Sequence, residues 1–552
     1  MAEKLKIISL GGLNEVGKNL TVFEYGADIL IIDCGLGFPD DEMYGVDIVI
    51  PDMTYLVKNK TRVRGIVLTH GHEDHIGAMP YLLREVNAPI YTTRLTAGLL
   101  EIKLQEHGLL SQTTINTINA GQSFKLGCFK VEFIHTNHSI PDAVALAVKT
   151  PVGMIIHTGD FKIDTTPISG GMIDLARLGE LGNRGVIALL SDSTNVERSG
   201  YSASESNVGE RFSEIFSGCD QRIIVTTFAS NVHRIQQVIN CAARHGRRVA
   251  VTGRSMENVM KVAVEQGYMD IPKGTLVDLS QIKNMPRDKI VIITTGSQGE
   301  FRSALHRMAF SDHRQIEITA GDKIIISASA VPGNEKTISN VVNALFRRGA
   351  EVIYDKNSDL HVSGHACQEE LKMMLALVKP KFFIPVHGEY RHLSTHAKLA
   401  RQMGIPQKNI IVGDIGNVIE LTNRSITQNG TVPSGKVFVD GIGVGDVGSV
   451  VLRDRKHLAQ DGMLVAIVNL SSEDGSLATV PDIITRGFIY VKESEELLQE
   501  LKDTVTETLE ECASQNISDW ASLKSAIKSD LSALLYKKTK RNPMILPVIT
   551  EI

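Results

Sequence analysis

Short apolar runs, separated by glycine and aspartate, dominate the first two hundred residues. The clearest runs cover residues 29–32, 65–69, 154–156 and 186–190, and they are rich in isoleucine, leucine and valine. Near-continuous apolar runs of this length indicate strands that are buried on both faces of a sheet. The pattern therefore predicts a layered α/β sandwich over residues 1–204.

A different rhythm, in which strands alternate with helices, extends from about residue 205 to residue 357. We predict strands at residues 222–227, 248–251, 289–294 and 323–327, and helices at residues 231–244 and 335–347. The first helix carries apolar residues at helical spacing on one face. Several strands end in small polar residues, which are candidate ligand contacts because doubly wound sheets bind ligands outside the carboxyl ends of their strands.

The C-terminal part of the chain contains no cluster of catalytic residue types. Residues 424–448 begin with a polar, turn-rich stretch and are predicted to form a linker. Residues 449–552 are predicted to form a small α+β domain with amphipathic helices at about 493–512 and 518–535 and an apolar end at 544–552. Such a domain favours packing or oligomerisation over chemistry.

Three glycines, Gly443, Gly445 and Gly448, match the G-x-G-x-x-G pattern of dinucleotide-binding proteins. That pattern requires a helix directly after it, because the helix N-terminus binds the pyrophosphate. Residues 449–452 are predicted to form a strand instead. We therefore interpret the match as coincidental.

Length and composition describe an ordinary globular protein of several domains. At about 150 residues per domain, 552 residues correspond to three or four units. No apolar run approaches the roughly 20 residues needed to span a bilayer, and the first residues lead into a predicted strand without a leader segment. We therefore expect a cytoplasmic location and no membrane partner.

Charge and cysteine content restrict the chemistry further. The net charge of −5 provides no diffuse attraction for nucleic acid, so binding of phosphate would have to be local. The six cysteines are scattered and form no C-x-x-C pair, which indicates reduced thiols rather than disulfides or a structural zinc site. Metal ligands would therefore have to be histidine and carboxylate.

The densest chemical signal is the sequence His-Gly-His-Glu-Asp-His at residues 70–75, directly after a predicted strand. On an extended loop, alternate side chains point to the same side, so His70, His72 and Asp74 can converge, with His75 adjacent. Imidazoles and a carboxylate packed this closely suit zinc or manganese. A solvated polar loop is the alternative, but three histidines and an aspartate within six residues disfavour it.

More distant residues could complete such a site. His138, Asp160 and His387 each lie where a predicted strand should end. Taken alone, each histidine is more simply explained as an ordinary polar loop residue. As a set, they supply the additional ligands that a site for two metals requires.

The order of these motifs resembles the metal signature of the metallo-β-lactamase superfamily. The segments 190–194, 361–365 and 386–390 look like its β-CASP branch, which acts on nucleic acids. With the C-terminal extension, the chain is similar from end to end to the ribonuclease J family. The resemblance implies an α/β fold: a metallo-β-lactamase αββα sandwich (1–204 and 358–423), an inserted α/β β-CASP domain (205–357), a linker (424–448) and a small C-terminal α+β domain (449–552).

The resemblance also implies roles for individual residues. His70, His72 and His138 would hold one divalent metal ion, and Asp74, His75 and His387 the other, with Asp160 bridging them and Asp33 orienting a ligand from behind. Zn²⁺ is the first expectation, with Mn²⁺ or Mg²⁺ as alternatives. The predicted catalytic residues are Asp74, Asp160, Asp192 and His365. For Asp192 an orienting role fits equally well, and for His365 a structural role is the alternative.

For the substrate, the resemblance implies single-stranded RNA. Neutral donors can bind phosphate without a basic patch, and the predicted residues of a pocket for a 5′ monophosphate are Ser230, Asn231, His361, Ser363, Gly364 and His365. Such a pocket predicts 5′→3′ exonuclease activity, with endonuclease cleavage in addition. The alternatives are a DNA or small-molecule hydrolase with the same metals, or a scaffold or RNA-binding subunit of an RNA-decay assembly. The C-terminal domain is expected to form a homodimer or homotetramer.

Overall fold

The computed structural model describes residues 3–40, 42–331, 333–354, 360–473, 475–489 and 494–552. The chain divides into two compact units, Met1–Phe38 with Val49–Val437, and Pro39–Ile48 with Phe438–Ile552. The strands are β1 Leu5–Gly11, β2 Leu20–Tyr25, β3 Asp28–Ile32, β4 Ile48–Pro51, β5 Val63–Val67, β6 Ile90–Thr92, β7 Ile115–Thr117, β8 Ser123–Leu126, β9 Phe129–His135, β10 Val144–Thr150, β11 Gly153–His157, β12 Ala188–Asp192, β13 Ile223–Thr226, β14 Arg248–Thr252, β15 Ile290–Thr294, β16 Lys323–Ile326, β17 Glu351–Ile353, β18 Phe382–Val386, β19 Asn417–Leu421, β20 Ile426–Thr431, β21 Lys436–Asp440, β22 Gly443–Val444, β23 Met463–Leu470, β24 Asp482–Arg486 and β25 Met544–Glu551. The α-helices are α1 Thr54–Lys58, α2 Glu73–Ile76, α3 Met79–Glu85, α4 Arg94–Glu106, α5 Leu175–Arg184, α6 Glu205–Ser217, α7 Val232–Arg244, α8 Arg254–Glu265, α9 Ala304–Ala309, α10 Glu335–Arg347, α11 Gln368–Val378, α12 Tyr390–Gln402, α13 Ser449–Asp461, α14 Glu495–Ser514 and α15 Trp520–Thr539.

Two sheets pack face to face in the first unit. One has eight strands in the order β20-β19-β1-β2-β3-β5-β6-β7, and the other has six in the order β18-β12-β11-β10-β9-β8. Apolar residues from both sheets, among them Phe23, Phe133 and Leu146, form the core between them. The outer face of the six-stranded sheet packs on α5, α11 and α12. The predicted lactamase-type sandwich is confirmed.

Parallel pairing brings the ends of several strands together. In the six-stranded sheet, β11 is parallel to β12 and β12 to β18. In the eight-stranded sheet, β3 is parallel to β5. Because parallel strands end at one edge of their sheet, the loops after these five strands begin at two common edges. Those loops carry the predicted metal ligands except His138, which follows β9.

A third sheet, in the order β14-β15-β13-β16-β17, forms the insert, and all of its strands are parallel. Its two faces are covered by different helices. Ile223 and Val225 of β13 face a core with α6, α7 and α8, whereas Ile224 faces a core with α9 and α10. The predicted strands and helices of this region are confirmed, and α10 has the predicted bounds. The predicted boundary at 357/358 lies outside the described residues, and the domain boundaries stay a prediction.

Residues 424–448 are not the irregular, turn-rich stretch that their composition suggested, while their role as a linker between domains stays a prediction. They contain β20, β21 and β22, and β20 pairs antiparallel with β19 at the edge of the eight-stranded sheet. Ile426 is the only buried residue of β20. An edge strand with one buried side chain has the composition of a polar loop, which explains the error.

Residues 449–452 belong to the first turn of α13, so the predicted strand there is also wrong. The two valines at 450 and 451 suggested a strand, but the next ten residues are mostly helix formers and extend the helix to Asp461. The glycine motif before α13 still lacks a dinucleotide fold. Its short strand β22 pairs antiparallel with β21, whereas the fingerprint belongs to a parallel βαβ unit.

The end of the chain forms the predicted α+β arrangement. A three-stranded sheet in the order β24-β23-β25 packs one face on α14 and α15 through residues such as Leu464, Leu501 and Ile527. The predicted start of the first helix, Glu493, lies outside the described residues. No helix in the described ranges has the length and apolarity to cross a membrane.

Candidate metal centre

The segment 70–75 changes conformation halfway along its length. His70 follows β5, and His72, in extended conformation, is the N-cap residue of the short helix α2. Asp74 and His75 lie in that helix, so the prediction that all of these side chains lie on an extended loop is wrong. The side chains of Asp74 and His75 thus project from a helical turn, whereas His70 and His72 precede it. One short segment can therefore contribute to two adjacent sites.

The carboxylate of Asp160 lies at the centre of the predicted ligands. Its Oδ2 atom is 3.2 Å from His387 Nε2 and 3.3 Å from His75 Nε2. The same oxygen is 3.6 Å from His70 Nε2 and 3.7 Å from His138 Nε2. Residues separated by more than three hundred positions in the chain thus direct their ring nitrogens at one oxygen.

Three groups of potential ligands share this carboxylate; one of them is Asp160, Asp192, His365 and His387, and the other two contain the predicted metal ligands. Within each group, one ligand atom per residue lies within 4.8 Å of the others. The first group is His70, His72, His138 and Asp160, and the second is Asp74, His75, Asp160 and His387. These are the two predicted sets. Imidazole and carboxylate donors at this spacing fit two borderline divalent cations with a shared ligand.

Asp33 fixes the orientation of His75. Its Oδ2 atom is 2.8 Å from His75 Nδ1, and its Oδ1 atom accepts a hydrogen bond from the backbone N–H of Thr69 at 2.8 Å. Asp33 is buried and has a left-handed φ of 59°, a conformation that aspartate tolerates better than most residues. The contact places a proton on Nδ1 of His75 and leaves Nε2, which faces Asp160, as the nitrogen that can bind a metal ion.

A backbone carbonyl orients His138 in the same way. His138 Nδ1 is 2.7 Å from the carbonyl oxygen of Gly364. Since a carbonyl only accepts hydrogen bonds, Nδ1 carries the proton and Nε2 is free to act as a ligand. His387, by contrast, has a left-handed φ of 55°, and its buried Nδ1 atom has no hydrogen-bond partner within the described ranges. Such backbone strain in a polar residue is common at functional sites.

Burial and charge act in opposite directions on these histidines. Burial, reinforced by the neighbouring imidazoles, holds the pKa of His70 and His72 well below the ordinary value, so both are neutral. Burial would also lower the pKa of His75, but the carboxylates of Asp160 and Asp74 outweigh it and raise that pKa well above the ordinary value. The second group thus attracts positive charge, and a bound cation would supply it in place of protons.

His365 and Asp192 form a pair beside the two groups. His365 Nδ1 lies 2.8 Å from Asp192 Oδ2. Burial opposes protonation of the imidazole, but Asp192 outweighs it and raises the pKa of His365 to about 9. The His365 side chain is 21% exposed, whereas the Asp192 side chain is buried. His365 can therefore meet a ligand from solvent while Asp192 orients it.

Sequence reasoning missed several residues that hold this site. Thr194 donates to Asp192 Oδ1 through its hydroxyl at 2.7 Å and its backbone N–H at 2.9 Å. Asn19 lies with its Nδ2 atom 3.0 Å from His75 Nε2 and 3.1 Å from the Asp74 carbonyl oxygen. Thr194 is the last residue of the 190–194 segment, but Asn19 stands in a glycine-rich segment whose contact with residues 74 and 75 no local pattern indicates.

The predicted phosphate-binding residues belong to two segments. His361, Ser363, Gly364 and His365 lie on one loop, where Ser363 Oγ accepts a 2.6 Å hydrogen bond from Asn195 Nδ2. His361 Nδ1 is buried and has no hydrogen-bond partner among the residues that the structure describes. Ser230 and Asn231 lie at the start of α7. Asn231 is buried, and its side-chain oxygen caps the helix by accepting from the backbone N–H of Arg234.

Four family models match consecutive parts of the chain. They are the metallo-beta-lactamase superfamily (residues 13–167), the ribonuclease J beta-CASP domain (220–345), the Zn-dependent metallo-hydrolase RNA specificity domain (350–412) and the ribonuclease J C-terminal domain (450–552).

Curated relatives match over nearly the whole length. Ribonuclease J2 of Bacillus subtilis is 43% identical over 100% of this chain and 99% of its own. Ribonuclease J 1 of Streptococcus pyogenes is 42% identical over 98% of this chain and 97% of its own length. Ribonuclease J of Synechocystis is 43% identical over 99% of this chain and 86% of its own length. A solved structure of a protein of unknown function from Enterococcus faecalis is similar with a TM-score of 0.53 at 15% identity, covering 76% of this chain and 100% of that one, which shows likeness of fold alone.

Proposed function

The chain belongs to the ribonuclease J family, and from this premise we propose that it is a metal-dependent ribonuclease that hydrolyses phosphodiester bonds of single-stranded RNA. The observation that carries the proposal is the pair of ligand groups around Asp160. All seven predicted ligands are present, and four ring nitrogens surround one carboxylate oxygen within 3.7 Å. A carboxylate shared by two sets of ligands can hold two metal ions close together, as a two-metal phosphodiesterase mechanism needs.

The donor set indicates which residues would hold the metals. His70, His72 and His138 would bind one cation, and Asp74, His75 and His387 the other. We propose zinc, with manganese or magnesium as alternatives, because neutral imidazoles suit zinc. Two such ions, when bound, supply an activated water and neutralise charge on the phosphate.

The remaining residues orient the substrate and move a proton. Asp192 accepts from His365 Nδ1, which keeps the imidazolium in one orientation and leaves Nε2–H as the second donor. We propose that this donor contacts the scissile phosphate or protonates the leaving oxygen. Because the His365 side chain is partly exposed, it can do so without a rearrangement of the buried ligands.

We also propose 5′→3′ exonuclease polarity with a preference for 5′-monophosphate ends, together with endonuclease cleavage. Support comes from the 361–365 segment, which contacts the metal centre through Gly364 and His365. The segment also carries the hydroxyl of Ser363 and the Nδ1 atom of His361, for which the described part of the chain offers no hydrogen-bond partner. A phosphate bound by such neutral donors beside the metals would set the distance from the 5′ end to the cut.

For the C-terminal domain we propose homo-oligomer formation, as a dimer or tetramer. One face of its sheet packs on α14 and α15, and the opposite face carries Ile484, Leu546 and Val548, which are 40%, 52% and 36% exposed. An apolar sheet face of this kind suits contact with a second copy. In gel filtration, Leu546→Lys should reduce the oligomer to a smaller species, and an unchanged elution volume would count against this interface.

The decisive experiment uses 3′-labelled single-stranded RNA with a 5′ monophosphate, beside a 5′-triphosphate form and a DNA copy. Each is incubated with zinc or manganese and then with a chelator. The double variant Asp74→Ala, His75→Ala excludes contaminating nucleases, and His107→Ala, a histidine outside the cluster, is the matched control. Progressive shortening of the monophosphate RNA alone, lost with chelator and with the double variant, supports the proposal. Absence of cleavage by a protein that binds two metal ions would refute it.

A further inference from the structure

The largest fully buried side chain among the described residues is the arginine Arg234, in the first turn of α7 in the insert. Its relative exposure is 0%, and that of its partner Glu205 is 2%. Burial of a guanidinium is costly unless its donors are all paired. A buried arginine therefore indicates a position where several acceptors have to be held together.

The acceptors of Arg234 come from three separate segments. Glu205 Oε2 accepts from Nη2 at 2.8 Å and from Nε at 3.3 Å. On the other side, Nη1 donates to Ser327 Oγ and, at 2.7 Å, to the carbonyl oxygen of Leu360. Ser327 donates to the same carbonyl. Since the planar guanidinium fixes the directions of its donors, it holds α6, the end of β16 and the start of the 360–365 loop in one geometry.

The opposite end of the 360–365 loop contacts the metal centre. The Gly364 carbonyl accepts from His138 Nδ1 at 2.7 Å, and Asn195 Nδ2 donates to Ser363 Oγ at 2.6 Å and to the His365 carbonyl at 3.0 Å. The fit is close, because a Cβ atom on Gly364 would lie 2.6 Å from His138 Nδ1. A shift of this loop by a few tenths of an ångström would change the His138 contact.

We propose that Arg234 is a positioning residue for the metal centre: by holding the Leu360 carbonyl, it sets the 360–365 loop and, through the Gly364 carbonyl, the orientation of the metal ligand His138. The same loop carries Ser363 and His361, so Arg234 also sets the geometry of the predicted phosphate contacts. This second consequence rests on the proposed function. The first rests on the ligand geometry and is measured separately.

The test compares Arg234→Lys with a matched control in the same domain. Lysine keeps the charge but cannot reach Glu205, Ser327 and Leu360 together. Arg222→Lys is the control, because Arg222 pairs with the buried Asp322 and has no hydrogen bond to the 360–365 loop among the described residues. Ser327→Ala is a milder variant that removes one hydrogen bond to the Leu360 carbonyl, and it serves if Arg234→Lys does not fold.

Two readouts separate positioning from general stability. The first is the rate at which zinc passes from the protein to a coloured chelator, and the second is kcat and KM on 5′-monophosphate and 5′-triphosphate RNA. We expect Arg234→Lys to release zinc about tenfold faster or more and to lower kcat about tenfold, the usual size of effect for groups that orient metal ligands. Ser327→Ala should change the rate of zinc release and kcat in the same direction but by a smaller factor. Arg222→Lys should change neither the zinc release nor kcat.

Zinc release from Arg234→Lys at the rate of Arg222→Lys would overturn the proposal, as would unchanged release from Ser327→Ala if Arg234→Lys does not fold. If the wild-type protein binds two zinc ions but cleaves no RNA, the proposed function fails, while the comparison of zinc release still decides the role of Arg234. If zinc release responds as expected but the preference for the 5′ monophosphate does not change, only the link to the phosphate contacts is lost.

Discussion

The substitution Asp33→Asn changes the hydrogen bonds of one buried carboxylate to Thr69 and to His75, a predicted metal ligand. Asp33 is 1% exposed, and asparagine has nearly the same shape and tolerates the observed φ of 59°. Its amide, however, has one acceptor oxygen where the carboxylate has two. Asp33 uses both, Oδ1 for the backbone N–H of Thr69 and Oδ2 for His75 Nδ1. Either orientation of the amide therefore places one donor against another.

If the amide nitrogen faces His75, the proton of His75 is displaced to Nε2. That atom lies 3.3 Å from Asp160 Oδ2 and is the expected metal donor. A hydrogen bond to a charged group contributes about 1.5–3 kcal/mol, and each 1.4 kcal/mol corresponds to a factor of ten. We therefore expect metal affinity of the second group to fall about 10- to 100-fold, in agreement with the usual cost of changing such a contact.

The assay is competition for zinc with a chelator of known affinity, followed by activity on RNA at saturating zinc. Asp28→Asn is the control, because Asp28 begins β3, the strand that Asp33 directly follows, but pairs with Arg64 at the surface. We expect the loss of affinity in Asp33→Asn alone, with activity partly restored by excess zinc. Wild-type zinc affinity in Asp33→Asn would refute the view that Asp33 fixes the tautomer of His75.

Three further predictions concern the site and its surroundings. Gly364→Ala should weaken metal binding about tenfold or more, because its Cβ would lie 2.6 Å from His138 Nδ1, whereas Gly413→Ala, with its nearest neighbour at 3.5 Å, should have no effect. Removal of metal by a chelator should lower the thermal unfolding midpoint by several degrees, and adding the metal back should restore the midpoint, since ligands that bind the folded state stabilise it. A midpoint that does not change with chelator contradicts a bound cation. Burial lowers the pKa of His396 to about 3, below the value in the unfolded chain. The neutral imidazole therefore contributes stability above about pH 6.5, and this contribution is lost as the pH falls. The loss is up to about 1.4 kcal/mol per pH unit. Between pH 6.5 and 5, the free energy of unfolding measured with urea should fall less in His396→Gln than in wild type or in the half-buried control His306→Gln. Equal dependence of the unfolding free energy on pH in all three proteins would argue against this role of His396.

The local pattern of the sequence was sufficient for the elements with strong signals. Apolar runs buried on both faces located β3, β11 and β12, and apolar residues at helical spacing located α7 and α10. It failed where the local composition was ambiguous. β20 buries one side chain and is polar otherwise, and the valines at the start of α13 have strand propensity although the helix continues beyond them.

For the site, the sequence determined the chemical types of the ligands, because the density of histidine and aspartate in residues 70–75 is a local property. The family resemblance indicated Asp33 as an orienting residue, but only the tertiary structure decided that its partner is His75 and that a backbone carbonyl orients His138. The contacts of His75 with Asp33 and of His138 with Gly364 join residues 42 and 226 positions apart. Such contacts depend on parallel strands that end at one edge and on a loop held by a buried arginine, and neither leaves a periodic trace along the chain.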